Sequence, residues 1–218
     1  MEELATVPAL ADYRSGFTPC AVHERTRRTY ALAKGDYEQA VVILDAKLQV
    51  IATIAATADI GLPTHDPGCF AGADYEPYLR DLAVHGDQVV ILTSDDRPRC
   101  SNGYCSPSTA GTSAQRSTLL LLDLDGDFQR RMAFGRFENP WAVTASRGRA
   151  FVVDQGPTRH TKVLHVIDIQ SGDCMQRAVF ELNCRPQAIS AVCVDADRIY
   201  IAVRNDRVVV LRLAGSEA

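Results

Sequence analysis

Apolar residues along this 218-residue chain come in runs of four to seven, set off by polar turns and recurring in a fixed order. One series reads TYALA, QVVILT, RAFVVD and RIYIAV; the next reads AVVILD, TLLLLD, KVLHVID and VVVLRL. Val, Ile, Leu and Tyr dominate these runs, which predicts strands rather than helices. No stretch holds an i, i+3, i+4, i+7 pattern beyond two turns, so almost no helix is expected.

Aligned on those runs, the chain repeats itself over about 18–58, 77–134, 139–180 and 185–213. Each repeat has an opening strand, often Pro-x-Ala-Val/Ile, then two apolar strands. The first three then pass through a turn with Asp, Gly or Lys to a fourth strand. A period of tens of residues built from four antiparallel strands predicts a β-propeller blade. The fold expected is all-β: one propeller domain over 1–218 with about four blades. The fourth repeat stops after its third strand, in RVVVLRLAGSEA. Residues 1–17 are expected to pair with that blade and close the ring, through EELATVPAL or ADYRSGF. Pro8 would place the first of these at an outer edge, where a missing N–H is tolerated.

The stretch DGDFQRRMAFGRFENPWAVTASRGRAFVVDQG resembles an NHL repeat: an Asp-Gly turn, a strand ending in Phe-Gly, a link to Asn-Pro, and a strand pair ending in Val-Asp. The following HTKVLHVIDIQSGD continues the likeness, which is good over 123–180, fair over 185–213 and loose over 18–92. The resemblance implies a propeller. It also implies a platform for protein or RNA, or, as in some relatives, a metal-dependent lyase or hydrolase.

In such blades the first-to-second and third-to-fourth turns share one face. That face would carry Arg25, Arg27, Arg28, Arg147, Arg149 and Arg198 with Asp45, Lys47, Asp123, Asp125, Asp127, Asp173 and Asp197. It reads as a solvated surface of weak ion pairs, or as a small anion-binding patch. The opposite face receives two long links, 56–77 and 94–117. Loops beyond about 12–15 residues without structure of their own are usually functional or disordered. A binding surface is therefore expected there, from His65, Asp66, Asp95, Asp96, Arg97, Arg99 and Tyr104, with Arg159, His160 and Arg204 nearby. Cys69, Cys100 and Cys105 leave three readings open: zinc ligands with His65, Asp66 and His160, a Cys100–Cys105 disulfide, or plain loop thiols. His23 and His85 follow Ala-Val on first strands and are expected near the channel, as lining residues. Trp141 and Phe137 read as packing between blades, or as an exposed aromatic anchor.

Composition narrows the function. A net charge of -4 argues against nucleic acid as the partner. The N-terminus lacks the basic and apolar regions of a signal peptide, and no run approaches membrane-spanning length. Seven scattered cysteines read as reduced thiols in a cytoplasmic protein. No Gly-x-Ser-x-Gly, His-Glu-x-x-His or phosphate-cradling glycine loop is present. The expectation is a non-catalytic scaffold with a protein partner, no cofactor and no membrane. The alternative is a metal-dependent NHL-like lyase or hydrolase using some of His65, His85, His160 and Asp154 at the channel mouth.

Overall fold

The computed structural model describes residues 17–34, 39–56, 59–60, 79–93, 117–133, 136–158, 160–182, 188–195, 197–204 and 207–212. Blade 1 comprises β1 (Phe17–Val22), β2 (Thr29–Lys34), β3 (Gln39–Leu44) and β4 (Val50–Ala55). Blade 2 comprises β5 (Leu79–His85), β6 (Gln88–Thr93), β7 (Leu119–Asp123) and β8 (Phe128–Met132). Blade 3 comprises β9 (Pro140–Ser146), β10 (Arg149–Gln155), β11 (Thr161–Asp168) and β12 (Cys174–Glu181). Blade 4 has three strands among the described residues, β13 (Ile189–Asp195), β14 (Arg198–Val203) and β15 (Val208–Arg212). Within each blade every strand pairs antiparallel with its sequence neighbour, and the four first strands surround one central channel. The molecule is a four-bladed β-propeller, as the hydrophobic pattern predicts. Residues 1–16, expected to close the ring, lie outside the described residues; Phe17 pairs with Ala33 inside blade 1 and does not belong to a closing strand.

The middle strands of blades 2 and 3 read as unbroken apolar runs because neighbouring blades cover both of their faces, whereas β14 of blade 4 alternates. Ala40–Leu44 and Val89–Thr93 are buried at every position, whereas outer strand β12 alternates along its whole length. Three cores fill the first three blade junctions. Tyr30, Leu32 and Ile43 meet Leu82, Ile91 and Leu122 between blades 1 and 2. Leu92, Leu121 and Phe137 meet Val143, Val152 and Ile167 between blades 2 and 3. Phe151, Leu164 and Val166 meet Ile199, Ile201 and Val203 between blades 3 and 4.

Turn chemistry explains where each strand stops. Asp45 Oδ1 accepts the N–H groups of Lys47 and Gln49, and Asp123 Oδ1 those of Asp125 and Asp127. Asp168 caps the same turn of blade 3 through Ser171 N. An aspartate ending the third strand thus supplies the acceptor that an Asx-type turn needs. Between β9 and β10, Arg147 (φ 51°) and Gly148 (φ 71°) both adopt the positive φ that a type I′ hairpin demands.

Candidate functional site

The channel comes first, because all four blades build it. It encloses about 260 Å³ and is lined mainly by small and apolar residues of β1, β5, β9 and β13. Asp81 is the carboxylate among the described lining residues. Its Oδ2 accepts Val143 N of the next blade at 2.8 Å, and its Oδ1 accepts Leu82 N at 2.9 Å. Burial at the junction pushes its pKa up to about 7, against the opposing pull of the Val143 and Leu82 N–H groups. Asp81 therefore ties two innermost strands together and exchanges a proton near neutrality.

His23 and His85, expected beside the channel, are not among its lining residues. Each closes a first-strand hairpin, where the chain has already reached the turn rim. His23 Nδ1 lies 2.7 Å from Thr26 Oγ1 inside its own turn. His85 Nε2 accepts Gly148 N of blade 3 at 2.7 Å.

On that rim Arg25, Arg28 and Arg130 each bond a neighbouring blade. Arg28 donates to Asp125 Oδ1 at 2.6 Å and Leu124 O at 2.9 Å, beside the Tyr30 hydroxyl, which donates to the same carbonyl at 2.8 Å. Arg25 bonds Asp87, and Arg130 donates to the carbonyls of Ile169 and Gln170. Asp197 accepts from Arg212 Nε at 2.8 Å within blade 4. These contacts favour the ion-pair reading of the rim over the anion patch.

The opposite rim holds the stems of the two long links. Ala56 N and Leu79 N both donate to Gln39, at its backbone and side-chain oxygens (2.8 and 2.7 Å). Asp59 Oδ2 accepts Ala55 N at 2.7 Å, and Arg131 donates to Ile60 O at 3.1 Å. Across blade 2, Thr93 and Thr118 bond each other reciprocally, and Thr118 Oγ1 donates to Met132 O at 2.6 Å. His65, Asp66, Asp95, Asp96, Arg97, Arg99, Tyr104 and Arg159 lie outside the described residues, as do Cys69, Cys100 and Cys105. His160 and Arg204 are exposed where the second-to-third-strand links of blades 3 and 4 emerge.

Asp154, a ligand candidate in the metal-dependent alternative, is buried in a clamp that fixes the link from blade 2 to blade 3. It accepts Glu138 N, Asn139 N and Gln155 N at 2.9, 2.8 and 2.7 Å. His165 Nε2 lies 3.2 Å from Asp154 Oδ2, and Phe137 packs edge-on against the imidazole at 5.1 Å. The Asn-Pro and Val-Asp marks of the NHL-like stretch are the two ends of this one cluster. Sequence reasoning passed over His165; its signal was a lone polar residue inside the apolar run KVLHVID. Phe137 packs between blades as expected, and Trp141 stacks under the Arg80 guanidinium, 4.0 Å from the ring centroid. Among the described residues no three His, Cys, Asp or Glu side chains converge as metal ligands.

The chain is similar to the computationally designed Ika4 protein, at 12% identity over 98% of this chain and 99% of that one, with a TM-score of 0.55. It is similar to a chain of the Kuenenia stuttgartiensis hydrazine synthase at 14% identity, covering 91% of this chain and 59% of that one, with a TM-score of 0.55. The β-propeller domain of the trilobed protease from Pyrococcus furiosus matches at 11% identity over 88% of this chain and 49% of that one, with a TM-score of 0.48. No protein-family model and no curated protein matches the chain. At such identities the likeness is one of fold, and the fold is that of a β-propeller.

Proposed function

We propose that this propeller is a protein-interaction scaffold that engages its partner with the rim from which residues 61–78 and 94–116 depart. The observation that supports this is the construction of the stems. Gln39 of blade 1 holds both ends of the first link, which runs from blade 1 to blade 2, and the Thr93–Thr118 pair closes the base of the second within blade 2, so both are anchored at fixed points. Long segments presented by a rigid frame are the common arrangement of recognition loops. His160 and Arg204 would flank them, with Asp95, Asp96, Arg97, Arg99 and Tyr104 among the contacting residues. The metal-dependent reading is weakened, because two of its four candidate ligands serve backbone groups: His85 accepts Gly148 N, and Asp154 accepts three N–H groups.

The test compares three proteins with matched circular-dichroism melts, each immobilised, exposed to lysate and read by quantitative mass spectrometry. Wild type and the turn-rim variant R147E/R149E are expected to retain the same partner, and a chain lacking residues 97–114 is expected to lose it. Equal retention by the deletion would sink the proposal.

A further inference from the structure

The inner edges of the first strands set what the channel can hold. In a two-residue hairpin the closing pair exchanges hydrogen bonds, and residues an odd number of places before it turn their N–H and C=O groups away from the second strand. Counting back from His85 and Ser146, which pair with Gln88 and Arg149, the outward-turned residues are Leu82 and Val84 in β5 and Val143 and Ala145 in β9. The second strand lies on the other side, so these groups face the channel that the same residues line.

Asp81 bonds two of these edge groups, Leu82 N at 2.9 Å and Val143 N at 2.8 Å. A carboxylate that reaches both lies on the channel side of the strands, and it is half-buried there. An ionised carboxylate has about four acceptor sites, so about two remain for a guest. Asp81 consumes the two N–H donors, whereas the carbonyls of Leu82 and Val143 turn the same way and remain acceptors. The balance at this level of the channel favours a guest that donates hydrogen bonds and carries positive charge. Around it Ala21, Ala83, Val84 and Ala145 give small apolar walls, and Thr144 and Ser190 add hydroxyl oxygens.

We infer that the channel binds a small primary alkylammonium ion, its head on Asp81 and its tail along the alanine and valine walls. An ammonium head presents three donors and no acceptor, which matches a carboxylate flanked by carbonyls. At about 30 Å³ for each water-sized group, a channel of 260 Å³ holds roughly eight heavy atoms, enough for an amine of about four carbons with some water. A hard divalent cation fits less well, because it takes about six or more oxygens and Asp81 is the carboxylate among the described lining residues. An anion would meet like charge. The site needs no protein partner and does not depend on the loop-bearing rim. Among the described side chains, the strands packed against β5 bring Cys20 of β1, at the channel, and Tyr30 of β2, whose hydroxyl is committed to Leu124 O. β6 and β9 bring no titratable group. On β5 itself, Arg80 stacks on Trp141 and His85 accepts Gly148 N.

The probe is n-butylammonium chloride, titrated into the full chain and read by calorimetry and by the methyl chemical shifts of Ala21, Ala83 and Ala145. Saturable binding is expected at about pH 8, with those methyls shifting together. No comparable binding is expected of n-butanol, which has the tail without the charge. An alkylammonium titrates near the lysine value of about 10.4, so between about pH 5 and pH 8 the ligand keeps its charge. Asp81 titrates at about 7, and binding at about pH 5 should be at least about tenfold weaker. Asp81→Asn, with a circular-dichroism melt like that of wild type, should lose binding at about pH 8 as well; if that variant does not fold, the pH comparison on wild type decides. Binding of butanol as tight as that of butylammonium, equal affinity at the two pH values, retention in a folded Asp81→Asn, or no saturation at either pH would each overturn the inference.

Discussion

A carboxyl held at about 7 between two blades couples folding to protons in the opposite sense to a salt-bridged aspartate. Below the ordinary aspartate range Asp81 is protonated whether the chain is folded or not, and its contribution is fully present. As pH rises toward 7 the native state keeps a proton that the unfolded chain releases, so stability falls; above 7 the loss is complete. A shift of this size corresponds to at most about 4 kcal/mol, and solvent reaching the half-buried group through the channel reduces it to about 1–2 kcal/mol. The urea midpoint of wild type is expected to fall between about pH 4 and pH 7, and in Asp81→Asn that fall should shrink, because the neutral amide cannot ionise. A variant whose midpoint tracks wild type across the same range would remove Asp81 from the account. None of this was legible in YLRDLAVHG, where the aspartate is one polar residue in an alternating strand. Its desolvation comes from the blade beside it, which sequence alone does not place. Asp154 was legible as a conspicuous residue but not in its role, since its three N–H donors were hidden in the link it holds.

At the scale of strands and turns the sequence says more, because blade burial writes itself into hydrophobic runs. Runs such as AVVIL and LLLL are covered on both faces, and no helical period competes with them. What stays hidden is how a turn of one blade meets a strand of the next. Gly126, in the third turn of blade 2, has φ of 95°, and a Cβ there would lie 2.2 Å from Ile54 Cδ1 of blade 1. In the sequence it is only the glycine of LDGDF. Gly126→Ala combines a left-handed backbone with a packing clash, and should cost about 2 kcal/mol in urea unfolding. Ile54→Val removes the clashing Cδ1. The double variant should therefore lose measurably less than the two single losses added together. Strict additivity would mean that the turn does not pack as described.

For the whole molecule, the weak point is the seam. Blades 1 to 3 each carry an outer fourth strand over the third, but in blade 4 the described residues end at β15, with Val208 60% and Val210 53% exposed. An apolar edge of this kind favours pairing with another strand, of the same chain or of a second copy. On the blade 1 side, Ala33, Val42 and Leu44 form a buried patch outside the three junction cores. The expectation that the N-terminal residues close the ring concerns the outer edge of blade 4 and is tested by their removal. Under reducing conditions, removal of residues 2–14 should lower the urea midpoint sharply or produce self-association in light scattering. A monomer of unchanged midpoint would show that the N-terminal residues contribute nothing to the seam.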